Sequence, residues 1–193
     1  MATNRPSRAT FADLLELPPD VRAEIVHGVI VDKASPTMEH GMVQRALGGV
    51  IGRWFGGQGG GRRPGGWWIA TEVDVEYESH ELFRHDLVGW RRDRVPERPA
   101  GRPVRIRPDW VCEILSPSNE KRDRVDKFRV LQQATVPYYW IANADERILA
   151  VHRLEAGGYL VALTATTGET VRAAPFDVVE LRVNVLFGDE DDD

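Results

Sequence analysis

Cysteine is nearly missing from this sequence: a single residue, Cys112, stands among 193. One thiol excludes an internal disulfide framework and any zinc site built on cysteines, and it suits a reducing compartment. Its place in the apolar run Trp110-Val-Cys-Glu-Ile-Leu115 makes it a core residue. Lysine is scarce as well, occurring only at positions 33, 121 and 127, so each can be weighed singly. No stretch approaches the ~18 consecutive apolar residues of a membrane span. The opening MATNRPSRAT lacks the apolar block of a signal peptide. A cytoplasmic protein with no membrane partner is therefore expected.

Several catalytic signatures are absent too. The glycine-rich run GGQGGGRRPGG has no Gly-Lys-Ser/Thr opening a helix, which excludes a phosphate-cradling P-loop. His80 and His85 are five apart, not the four that would put both imidazoles on one helical face as in a metalloprotease. Ser116 and Ser118 lack a Gly-x-Ser-x-Gly setting and serve to turn the chain into the next helix and cap it.

What remains is a composition of 42% hydrophobic, 28% charged and 8% aromatic residues, suited to one globular domain. A chain of this length buries roughly 70% of its unfolded surface and needs no staples. The expected organisation is a loose arm over residues 1–10 leading a single domain to residue 188, then an acidic tail over 189–193. That tail carries five of the acids, equal to the whole net charge of −5, so the rest of the chain is close to neutral. Between Arg84 and Arg129 there are thirteen Lys or Arg against eight Asp or Glu, a local excess of five positive charges. A basic patch and a solvated charged loop both fit this excess. The tail is either a solubilising end or a mask for such a patch.

Periodicity outlines the elements. Thr10 with Asp13 caps a short helix through Phe11, Leu14 and Leu15, stopped by Pro18-Pro19. Residues 24–27 and 29–33 read as two strands about Gly28. From Met38 to Phe55, apolar residues at 42, 43, 46, 47, 50, 51 and 54 repeat as on an amphipathic helix. Gly48, Gly49 and Gly52 each cost about 1 kcal/mol there, and are expected to allow close packing. Trp67 to Tyr77 alternates, with Val73, Val75 and Tyr77 on one side and Glu72, Asp74 and Glu76 on the other. Further strands are predicted at 84–90, 109–115, 138–142, 148–154 and 159–163, with a helix over 119–134 that turns Val125, Phe128 and Leu131 inward. Trp67, Trp68, Trp110 and Trp140 read as core and sheet packing. The order implies an α/β fold, a mixed β-sheet flanked by helices.

The anomalies are carboxylates in apolar strands. Asp86 precedes Leu87-Val88, and Glu113 sits inside Trp110-Val-Cys-Glu-Ile-Leu115. Burying such a charge is costly unless hydrogen bonds, a cation or a metal offset it. If the two strands are neighbours, both acids reach one divalent cation; otherwise Glu113 faces solvent from an edge or pairs with an arginine. Lys127 follows on the next helix, where it either forms a surface pair with Asp123, worth a few tenths of a kcal/mol, or faces a metal held by Asp86 and Glu113. Two carboxylates and a lysine are the parts needed for phosphodiester hydrolysis, and Mg²⁺ suits hard oxygen ligands best, with Mn²⁺ as a substitute.

The run Pro108-Asp-Trp-Val-Cys-Glu-Ile-Leu-Ser-Pro-Ser118, then Arg122-Asp-Arg and Lys127, then Val136-Pro-Tyr-Tyr-Trp-Ile141, resembles the Uma-two family of restriction endonucleases within the PD-(D/E)XK nuclease superfamily. The resemblance extends from Glu24 to about Leu186. It implies a restriction-endonuclease-like core with Asp86 and Glu113 as the paired acids. Leu115 stands where the superfamily lysine belongs, and Lys127 replaces it. Glu24 matches an early glutamate and His40 a histidine that opens the long helix, both lining the site. His85 stands before Asp86 where the family has proline, a change expected to affect backbone more than chemistry. The expected function is a DNA endonuclease in which Asp86, Glu113 and the Ile114 carbonyl bind the metal and Lys127 stands beside the attacking water. Arg84, Arg122 and Arg124 are expected to contact phosphates. A homodimer that cuts two strands is compatible with the resemblance, though the sequence identifies no interface. The rival expectation is a nucleic-acid-binding or regulatory module that retains the fold without cutting.

Overall fold

The computed structural model describes residues 8–115 and 120–190. The expectations for Ser116, Ser118, most of the N-terminal arm and the last three acids fall outside these residues. The chain opens with α1 (Phe11–Leu15), where the Asp13 carboxylate accepts from the N–H and hydroxyl of Thr10 at 2.6 and 2.9 Å. Strands β1 (Ala23–Val26) and β2 (Val29–Asp32) then form a hairpin. His27 and Gly28 between them have φ of 52° and 80°, the positive pair that a two-residue turn of matching twist requires.

The 18-residue helix α2 (Met38–Phe55) follows, with Thr37 accepting from the His40 N–H at its start. It buries Val43, Ala46, Leu47, Ile51 and Phe55. Its glycines do not serve close packing: a methyl at Gly49 or Gly52 would meet nothing within 4 Å, and at Gly48 only ordinary contacts with Leu87 and Thr71.

Strands β3 (Trp67–Glu78), β4 (Glu81–Arg91), β5 (Trp110–Leu115), β6 (Tyr138–Asn143), β7 (Ile148–Glu155) and β8 (Gly158–Thr166) complete an eight-stranded sheet with the hairpin. The order is β2-β1-β4-β5-β6-β7-β8, with β3 on the other edge of β4. All neighbours are antiparallel except β5 and β6. Those two are joined by a crossover holding a π-helical turn (Arg122–Lys127) and α3 (Phe128–Gln133). Of the residues expected inward on a helix there, Leu131 is buried and Phe128 packs half-buried against the core, but Val125 is only half-buried and outside it, and Asp123, Lys127 and Val130 are the other buried residues. β9 (Thr170–Val171), β10 (Leu181–Arg182) and α4 (Val183–Leu186) close the fold.

Two cores sandwich the sheet. Under α2 and α4, Leu87, Trp110, Cys112, Ile114, Trp140 and Phe176 share one cluster, the Phe176 ring centre lying 4.6 Å from that of Phe55. Under α3, Val88, Trp90, Val111, Leu131 and Tyr139 pack together. Trp67, Trp110 and Trp140 are thus core, as read from the sequence, while Trp68 is half-buried beneath the Arg92 guanidinium, 3.4 Å from its ring centre.

One departure from strand periodicity positions the site. On the α3 side, β3 contributes Trp68 and Ala70, then Val73, Val75 and Tyr77, so the alternation changes phase between them. Glu72, at the change, has φ of 56°, a left-handed conformation that costs a non-glycine residue about 1–2 kcal/mol. The paired strand changes phase with it: Val88 and Trp90 face α3, and so do Phe83 and His85 beyond Asp86.

Candidate active site

Backbone pairing explains where the polar residues gather. One edge of β4 pairs with β3 along its length. The other edge is shared, by β1 at Leu82 and by β5 at Leu87 to Gly89. Between these points, Phe83 to Asp86 have no strand partner on that edge among the described residues, and the sheet opens as a fork. Buried backbone N–H and C=O groups must still be satisfied. Side chains do so: Glu24 Oε1 accepts the Arg84 N–H at 2.9 Å, the Lys33 ammonium donates to the Arg84 carbonyl, and Asp86 Oδ2 accepts the Ile114 N–H at 2.8 Å.

The fork brings together Asp86, Glu113, Lys127, Glu24 and His40, five residues expected at the site, all at most 5% exposed. Lys127 Nζ lies 2.9 Å from Glu24 Oε1, 3.2 Å from Glu113 Oε1 and 3.2 Å from Asp123 Oδ1. The surface-pair reading of Asp123 and Lys127 is therefore corrected, since both are buried and the π-helical turn aims the ammonium into the fork. The edge-strand reading of Glu113 fails as well, because β5 is central and Glu113 is wholly buried. His40 Nε2 lies 3.5 Å from Asp86 Oδ1, and Gln44 donates to the Asp86 carbonyl at 3.0 Å. Ile114 touches Asp86 through its N–H.

Burial and charge push the two central acids apart. For Asp86, burial favours the neutral form, but Lys33 at 2.8 Å and His40 outweigh it and hold the carboxyl well below its usual range. Glu113 is pushed up to about 8 by burial, against the pull of Lys127 and with the Asp86 charge adding to the rise. Burial likewise raises Asp123 to about 7; neither of its oxygens receives an aligned hydrogen bond. Lys127 is driven well above its ordinary value: desolvation opposes its charge, but Asp123, Glu113 and Glu24 favour it more strongly. Acids are separated in this way by their surroundings both in sites that move protons and in buried ion-pair networks.

The arginines expected at phosphates are each held by a carboxylate: Arg84 by Asp74 at 2.7 Å, Arg122 by Glu24 at 3.3 Å and Arg124 by Glu120 at 2.8 Å. The positive excess counted over residues 84–129 is much reduced in three dimensions, because β3 supplies Asp74 to Arg84 and Arg102, and Glu76 to Arg105. Of the tail, Asp189 pairs with Arg147 and with none of these three arginines. A cleft of about 820 Å³ lined by Arg22, Gln44, Glu72, Asp74, Arg84 and Arg102 adjoins the fork through Gln44 and Arg84.

Asp86 and Glu113 offer carboxylate oxygens, the donor type that a hard divalent cation takes. Among the described residues no three His, Cys, Asp or Glu side chains are grouped to hold a metal, but magnesium keeps several waters and needs only one or two carboxylates. Glu113 Oε2 is buried without a hydrogen-bond partner, the orphan expected of an unused ligand oxygen. Sequence reasoning missed two residues. Lys33 follows β2 and seats its ammonium on Asp86; its rarity drew attention, but no pattern tied it to the acid. His85 was read as a backbone change, yet its ring is wholly buried, with Nδ1 2.5 Å from Glu113 Oε1 and Nε2 2.7 Å from the Tyr77 hydroxyl.

The profile of the Uma2 family, described as "Putative restriction endonuclease", matches residues 10–184. A solved structure described as a putative nuclease belonging to DUF820, from Anabaena variabilis, superposes with a TM-score of 0.71 at 21% identity. The match covers 92% of this chain and 97% of that one, and at this identity it shows a shared fold. No curated protein sequence matches. The match over residues 10–184 spans most of the chain, and the chain belongs to the Uma2 family.

Proposed function

We propose that the protein is a magnesium-dependent endonuclease that hydrolyses DNA phosphodiester bonds, with Mn²⁺ able to replace Mg²⁺. The observation that carries this reading is the meeting of Asp86, Glu113 and Lys127 in one buried fork of the sheet, with Lys127 Nζ 3.2 Å from Glu113 Oε1. Asp86 and Glu113 would hold the cation, with the Ile114 carbonyl as a further ligand. When bound, the cation polarises a phosphoryl oxygen and acidifies a water molecule. Lys127, charged and held by Glu24, Glu113 and Asp123, would turn one of its N–H donors from these acids to the nucleophile or the developing phosphoryl charge. His40 steadies Asp86 from α2. Arg84, Arg122 and Arg124 exchange their present carboxylate partners for DNA phosphates, so binding weakens as salt rises.

The test is nicking of supercoiled DNA with Mg²⁺ or Mn²⁺, with Glu113→Gln purified in parallel. Metal-dependent nicking that Glu113→Gln lacks is the expected result; a wild type that neither cuts nor binds either metal by calorimetry sinks the proposal. One observation favours a second reading, a DNA-binding or regulatory module that does not cut. Lys33 sits on the Asp86 oxygen that a metal would use, and the fork is closed over it. Salt-sensitive DNA binding without nicking would establish that reading instead.

A further inference from the structure

Glu113 is unevenly held. Oε1 takes both His85 Nδ1 at 2.5 Å and Lys127 Nζ at 3.2 Å, while Oε2 has no hydrogen-bond partner. A glutamate side chain turns easily about its last bond, so an unrestrained carboxylate would present either oxygen. We propose that His85 is a positioning residue that fixes the Glu113 carboxylate with Oε2 turned toward the cation, and that Tyr77 fixes His85. This rests on the reading of Asp86 and Glu113 as the metal site.

The ring itself is immobilised. It is completely buried, with the Tyr77 and Phe83 rings edge-on to it at 5.8 and 6.1 Å between centres. With a cation on Glu113 the hydrogen bonds run in one order only. A carboxylate that ligates a metal is ionised and accepts, so His85 Nδ1 must carry the hydrogen. In the neutral imidazole Nε2 then accepts, and the Tyr77 hydroxyl, 2.7 Å away, donates to it. Partners of this kind, behind the ligating groups, set ligand orientation and hold metal affinity.

The backbone inversion at Glu72 makes the contact available. Had the alternation of Val88 and Trp90 continued unbroken along β4, residue 85 would lie on the α2 side, away from Glu113. The phase change opposite Asp86 turns His85 to the α3 side, where Glu113, Lys127 and Tyr77 are. The conformational cost at Glu72 thereby has a use.

The experiment is calorimetric titration of Mn²⁺ into the full-length wild type, His85→Asn, His85→Leu and Tyr77→Phe, without DNA, each checked for folding by circular dichroism. The wild type is expected to bind. His85→Leu is expected to weaken binding by about 10–100-fold. His85→Asn, whose amide nitrogen stands in for Nδ1, should recover most of that loss, and Tyr77→Phe should weaken binding less than His85→Leu does. A merely structural role would not be rescued by asparagine. A wild type that binds, with His85→Leu binding equally well, overturns this inference alone; a wild type that binds no metal overturns the metal site and the inference with it. If His85→Leu does not fold, Tyr77→Phe together with a ¹⁵N spectrum of Mg²⁺-loaded wild type decides. A ring hydrogen on Nδ1 and weaker binding by Tyr77→Phe support the proposal. A hydrogen on Nε2, or unaltered binding by Tyr77→Phe, overturns it.

Discussion

Strand β4 is two strands in character. From Leu87 to Gly89 it is hydrogen-bonded to neighbours on both edges, and Leu87 and Val88 are wholly buried among apolar side chains. From Phe83 to Asp86 it is paired on one edge only, and the free edge is filled by Glu24, Lys33 and Asp86. Both halves are almost fully removed from water. The difference is that in one half the backbone satisfies itself, while in the other it needs side chains, and those side chains are the candidate site. Withholding four residues of ladder is how this sheet gathers charge in its interior.

The comparison can be broken hardest at Lys127. Lys127→Met leaves Glu113 and Asp123 buried without their shared cation, and a loss of about 3–5 kcal/mol is expected in urea unfolding at pH 7. In the apolar half, Leu87→Ala should cost about 2–5 kcal/mol as a cavity, with no dependence on pH between 5 and 8. A Lys127→Met protein as stable as wild type would mean that the fork is solvated and the contrast between the halves is false.

Two buried aspartates sharpen the same contrast with opposite signs. Asp74 is held below its ordinary range: burial would raise it, but Arg84 and Arg102 win. Its pairing therefore stabilises the fold above the unfolded carboxyl's ordinary value of about 3.9 and is lost as pH falls through the lower folded value. Asp74→Asn should cost about 2 kcal/mol at pH 7, a deficit that shrinks in acid. Asp123, raised to about 7, binds its proton more tightly folded than unfolded. Its stabilising contribution is present below pH 4 and is withdrawn as pH climbs to about 7. Asp123→Asn should thus gain on wild type in melting temperature between pH 4 and 7, then level off. Equal differences at every pH would show that Asp123 does not titrate in the fork.

The smallest expected effect lies on α2, where glycine has no packing role. Gly49→Ala should stabilise the protein by about 0.5–1 kcal/mol, because the added methyl meets nothing and helix propensity improves. A loss of stability in the same denaturation assay would mean that the helix face at Gly49 is covered.

Much of the molecule was legible because its signals are local. The ends of α2 at Met38 and Phe55, the capping of α1 by Asp13 and the hairpin at His27-Gly28 follow from periods, caps and turns within a few residues of one another. So did the suspicion attached to Asp86 and Glu113, since a carboxylate inside an apolar strand is anomalous wherever the strand lies. What was not legible depends on pairing. The arginine excess left a basic patch and a solvated loop equally open because its counter-charges, Asp74 and Glu76, lie outside the counted stretch. His85 looked like a backbone detail because an inversion at Glu72, on another strand, decides which way its ring points.

The sequence alone determined most of the elements up to residue 163, the apolar surfaces that must be covered and the identity of the two misplaced acids, because these rest on side-chain chemistry and short-range geometry; the short β9, β10 and α4 carry too few residues to show a period. The tertiary structure decided which groups those acids meet. Glu24, Lys33, Asp86, Glu113 and Lys127 come from five separate segments and are joined only where β4 lacks a neighbour. Buried charge persists only beside its partner, and that requirement can be satisfied only by the folded chain.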